Sequence, residues 1–171
     1  MDKKVMQFAL NGVGSYVGIV QSSYGVPPGF WQNPYILGFL GEMAALFAQL
    51  AAGAKINGSD LQYLLQEVFA ASNAKNFPTL QEYNNIKMTE STDAELQRGC
   101  GDATSVFLYA SELHSDEAGD SLVTEATSLV DSGEVHFLGT RRERVGAAML
   151  LLSYINEVRR LGHTALAKAC T

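Results

Sequence analysis

A chain of 171 residues, 47% hydrophobic and 18% charged, has the makeup of one ordinary globular domain and not of a disordered segment. At this length roughly two-thirds or more of the unfolded surface can be buried, so the core needs no staple. A net charge of −6 argues against nucleic acid as the main partner, because binding phosphates calls for a basic surface.

The first twenty residues place two lysines ahead of an apolar run, as a secretion signal does. Gln7, Asn11 and Ser15 interrupt that run and no A-x-A site follows, so the segment is expected to stay in the mature protein. Val5, Phe8, Ala9, Val13, Tyr16, Val17 and Val20 recur mostly at steps of three and four, which predicts a helix over 4–24 in spite of Gly12, Gly14 and Gly18. Those glycines differ from a dinucleotide-binding fingerprint: the last interval is too long and no acid follows. Pro27, Pro28 and Gly29 then make a rigid loop carrying Phe30 and Trp31. These aromatics either fold back over helix ends or stand exposed as a partner's anchor.

Asn33-Pro34 is a strong helix start, since asparagine caps free N–H groups and proline at the first position gives up no hydrogen bond. From 34 to 54 the only charge is Glu42 and the only amide is Gln49, so a buried central helix is predicted. Its length would also cross a bilayer, but Glu42 near the middle disfavours that reading. Gly38, Gly41, Ala45, Ala48 and Ala52 form a strip of small residues that lets another backbone come close.

Asn57-Gly58 predicts a turn, Ser59-x-x-Gln62 a capping box, and Leu61, Leu64, Leu65, Val68 and Phe69 one face of a helix over 60–72 closed by Asn73. Pro78 breaks the chain, Thr79 caps a short helix to about Ile86, and Thr92 starts another that the Gly99-Cys100-Gly101 triplet should kink or stop. Asp102 restarts a helix to about Leu113, Ser115 caps one over 116–130, and Asp131-Ser-Gly133 ends it. Glu134–Gly139 reads extended but is too short for a sheet. Thr140-x-x-Glu143 opens the longest amphipathic run, which Gly162 ends. The fold expected is all-α, a single domain over 1–171 with six to eight helices around the 34–54 helix. Cys100 and Cys170 show no metal or redox spacing and are expected to be reduced thiols in a cytoplasmic protein.

Charge is uneven. Between Glu90 and Glu134 there are eleven acids and one base, Arg98; from Arg141 onward there are six bases and two acids. The two regions should attract, within a chain or between subunits. The densest acidic group is Glu112, Asp116, Glu117 and Asp120. Asp116 and Asp120 lie one helical turn apart, and Glu117 with Asp120 makes an E-x-x-D pair. The run DEAGDSL looks like the second magnesium-binding motif of the MazG-like all-α nucleotide pyrophosphohydrolases. That family also needs a cluster of glutamates on an earlier helix, and none stands at the required place. Acids are favoured at a helix start by its dipole in any case.

Glu42 must pair, move toward an end or titrate unusually if it is buried, with Arg141, Arg142, Arg144 or a histidine as candidate partners. It is a candidate buried functional carboxylate. His114, His136 and His163 have no ligand spacing, and no P-loop, H-E-x-x-H or G-x-S-x-G is present. The first expectation is therefore a non-enzymatic, self-associating interaction module. It would meet a basic protein through Phe30, Trp31, Asp116, Glu117 and Asp120, with no cofactor, nucleic acid or membrane involved. The alternative is a small Mg- or Mn-dependent hydrolase built on Glu112, Asp116, Glu117 and Asp120. A third reading is a carrier of an apolar ligand held near Phe39, Met43 and Phe47.

Overall fold

The computed structural model describes residues 1–23, 25–71, 90–112, 120–164 and 166. Among them there are six α-helices and no strand: α1 (Lys3–Ser22), α2 (Pro34–Ala52), α3 (Gly58–Ala71), α4 (Glu90–Ala110), α5 (Ser121–Ser132) and α6 (Arg141–Arg160), with a 3-10 turn at Phe30–Gln32. The all-α class expected from the pattern of caps and apolar spacing is the class observed. Contacts gather into two compact units: Met1–Val17 with Gly29–Thr104, and Gly18–Pro28 with Ser105–Thr171.

The first unit is built on α2. Asn33 accepts the Tyr35 N–H through its side chain at 2.8 Å, and Pro34 fills the first turn. Gly53, left-handed at φ 64°, closes the helix at Ala52, two residues earlier than the sequence suggests. Tyr35, Ile36, Leu37, Phe39, Leu40 and Met43 are all buried. The small-residue strip does what its composition implies. A β-carbon placed at Gly38 would fall under 3.0 Å from the backbone carbonyl of Leu96 on α4, and one at Gly99 would do the same to the carbonyl of Tyr35.

Backbone therefore meets backbone, and this explains why α4 runs unbroken through the Gly99-Cys100-Gly101 triplet that was expected to kink or stop it. A glycine costs a helix about 1 kcal/mol. Close packing against α2 offsets that cost at Gly99. Thr92 lies inside α4 and does not start it. On α1, Gly12 plays the same part against the ring of Phe47. Tyr16 packs on Phe39 with ring centroids 4.8 Å apart.

The cap of α3 is Asn57, not Ser59. The Asn57 Oδ1 accepts the Asp60 N–H at 2.8 Å, its amide donates to the Asp60 carboxylate at 3.0 Å, and its carbonyl accepts the Leu61 N–H. Both residues are good caps, and the one that leaves Gly58 inside the first turn is used. The expected stop at Asn73 and the Thr79 helix lie outside the described residues.

The second unit is dominated by α5 packed against α6. Leu122, Val123, Ala126 and Val130 are buried from α5, and Val145, Met149, Leu152, Ile155 and Val158 from α6. α5 starts at Ser121, five residues later than the sequence suggests, so its described cap is Asp120 and not Ser115, which lies outside the described residues. Residues 134–139 form no strand and act as the connector between α5 and α6. Thr140 and Glu143 make the reciprocal capping box expected of them.

Candidate functional site

Each residue singled out from the sequence that lies among the described ones has its own local setting. Phe30 is fully buried, which removes it from any interaction surface: it has folded back into the first unit, and Trp31, half-buried, meets it edge-on at 5.3 Å between ring centroids. Asp116 and Glu117 lie outside the described residues. Asp120 is committed locally. Its Oδ1 accepts the N–H groups of Leu122 and Val123, at 3.0 and 3.3 Å, which is the work of a helix cap. Glu112 is exposed and sits in the left-handed region at φ 59°, just past the end of α4. Among the described residues no group of three or more His, Cys, Asp or Glu is gathered closely enough to hold a metal ion.

Glu42 is half-buried within α2. The more deeply buried carboxylate is Glu157 on α6, 2% exposed, which receives Arg160 at 3.3 Å one helical turn on. Sequence reasoning passed over it, although an acid three residues ahead of an arginine is a readable pairing signal. Phe39 and Met43 are fully buried in core packing. The half-buried Cys100 thiol donates weakly to the Gly38 carbonyl at 3.5 Å.

The attraction expected between the acidic and basic regions is partly realised inside the second unit. Arg141 grips Asp131 with two nitrogens, at 2.9 and 3.3 Å. That pairing holds the Asp131 carboxyl below the usual carboxylate range, with Arg144 adding to the effect. Arg142 lies over the Tyr109 ring at 4.7 Å and donates to the Tyr109 carbonyl at the end of α4, where a cation is favoured by the helix dipole. Glu143 is also held low, by the backbone N–H of Thr140 and then by its hydroxyl. In the first unit, Arg98 lies 4.0 Å from the Tyr35 ring centroid and the Tyr35 hydroxyl donates to Asp102 at 2.7 Å.

Two features stand out at the surface. One is the α5–α6 connector. Gly133 at φ 76° ends α5, the Glu134 N–H ties back to the Leu129 carbonyl, and Leu138 beyond them is 98% exposed. The other is a groove of about 640 Å³ in the first unit, bordered by the start of α1, the end of α2 and the beginning of α3. Neither was predicted. An apolar residue in a short extended-looking run gives no sign of whether it faces a core or water.

No known protein family, curated protein or solved structure matches this chain.

Proposed function

We propose that this chain is a soluble, cytoplasmic protein-interaction module that engages a basic protein partner through the α5–α6 connector of its second unit. Leu138 carries the reading. A leucine exposed over 98% of its surface gains only when something covers it, and the connector is tied at both ends, by the Gly133 turn and by the Thr140–Glu143 box. Binding would therefore order little additional chain. Glu134, the acid nearest Leu138 in sequence, and Glu125 on α5 are exposed, which favours a partner of opposite charge. Contacts of this kind also suit self-association of the chain.

A photo-crosslinking amino acid at position 138 tests this in cells. A discrete adduct with a basic protein, reduced by Glu134→Lys and absent with the probe at exposed Thr124, supports the reading. No adduct above the Thr124 control sinks it.

A further inference from the structure

The groove in the first unit has no part in that reading. Val5 and Phe8 of α1, Ala51 and Ala52 of α2 and Ile56 of the α2–α3 connector give it an apolar strip beside polar lining of similar extent, and its volume of about 640 Å³ falls in the range of small-ligand sites. Four charged side chains border it: Asp2, Lys4, Lys55 and Asp60. The two acids are already engaged. Asp2 accepts the Lys4 backbone N–H at 2.6 Å, capping α1, and Asp60 accepts the Asn57 amide at 3.0 Å and the Met1 ammonium at 2.8 Å, which holds its carboxyl low.

The lysines are different. Among the described residues neither the Lys4 nor the Lys55 ammonium has a hydrogen-bond or ion-pair partner, and both are exposed. The end of α2 and the start of α3 both border the groove, and their partial charges oppose each other. With Asp60 paired to the Met1 ammonium, the rim keeps the two lysine ammonium groups against the one carboxylate of Asp2, which accepts only a neutral N–H, so the balance is cationic. An apolar strip beside two uncommitted cations fits an amphipathic anion.

We propose that this groove binds a single-chain aliphatic carboxylate, its tail along Val5, Phe8 and Ile56 and its carboxylate met by Lys4 and Lys55. Titration calorimetry of the full chain with sodium decanoate, kept below its micellar range, tests the assignment. Decanoate is expected to bind at one site per chain, about tenfold more tightly than decanol, since two exposed ion pairs supply roughly that factor. Acetate, which lacks the tail, should give no heat. The double variant K4E/K55E should lose the advantage of decanoate over decanol while its circular dichroism stays unchanged, because both lysines are exposed. Ala52→Trp, which fills the groove from an exposed position, should weaken both ligands. The assignment is overturned if decanoate gives no saturable binding, if decyltrimethylammonium binds as tightly, or if K4E/K55E keeps wild-type preference. None of these outcomes touches Leu138, so the two readings stand or fall separately.

Discussion

Gly99 of α4 lies against the carbonyl oxygen of Tyr35 at the start of α2, so closely that a side chain at position 99 would have to push the two helices apart. The contact is reciprocal one turn along, where Gly38 of α2 faces the Leu96 carbonyl of α4. Gly99→Ala therefore gains about 1 kcal/mol of helix propensity and loses more than that to the backbone clash, since overpacking costs about 1–3 kcal/mol even against yielding side chains. The expected result is a net destabilisation of about 1–2 kcal/mol in urea unfolding. Gly14→Ala is the control. It sits within α1, exposed, with nothing near its missing β-carbon, and should stabilise by up to about 1 kcal/mol.

The pair also shows what could be read in advance. The caps at Asn33 and Thr140 were legible because capping is local: the donor, the acceptor and the apolar run that follows lie within a few residues. The strip of small residues on α2 was legible as an invitation to close approach. Which helix accepts it was not, because Leu96 and Gly99 are brought there only by tertiary packing, and so the glycine triplet looked like a break. Asn57 and Ser59 are two good caps two residues apart, and composition alone does not choose between them. On the functional side, the acidic residues were visible as charge, but whether an acid is a ligand or a cap depends on which N–H groups face it. Asp120 turned out to face two.

Asp120 allows cap and metal ligand to be separated by substitution. Asparagine caps as well as aspartate but has no carboxylate, so Asp120→Asn should leave stability within about 0.5 kcal/mol, whereas Asp120→Ala should cost about 1 kcal/mol. The measurement is a thermal melt of each variant with and without magnesium or manganese. A metal-dependent rise in Tm that disappears in Asp120→Asn would overturn the purely structural role and favour the hydrolase reading.

Tyr154 ties α6 to the segment that follows α1 within the second unit. It is fully buried, its hydroxyl donates to the Gly25 carbonyl at 2.5 Å, and it accepts from the Ser23 hydroxyl at 3.0 Å. Tyr154→Phe keeps the ring packing and removes both bonds, so a loss of about 1–2 kcal/mol is expected. Amide exchange should rise in residues 20–26 more than in the centre of α6. Uniform acceleration across the second unit would mean that the hydroxyl is not what fastens this segment.

The acid limb of the stability curve should carry the signature of Asp131 and Glu143. Arg141 depresses the first carboxyl, and the Thr140 N–H and hydroxyl depress the second, so each binds its proton less tightly in the folded chain than in the unfolded one. The unfolded chain then takes up more protons as pH falls through about 4, and stability drops with it. These contributions are complete above the ordinary carboxylate range and are gone once pH has fallen through the lowered folded values. Arg141→Gln returns Asp131 toward its ordinary value. Its melting temperature should lie slightly below wild type at neutral pH, and the two curves should converge in acid, where Asp131 is protonated in both proteins. Added salt should shrink the neutral-pH gap, because the pair is exposed. Curves that stay parallel down to the lowest pH would show that the Arg141–Asp131 pair does not perturb Asp131 in solution.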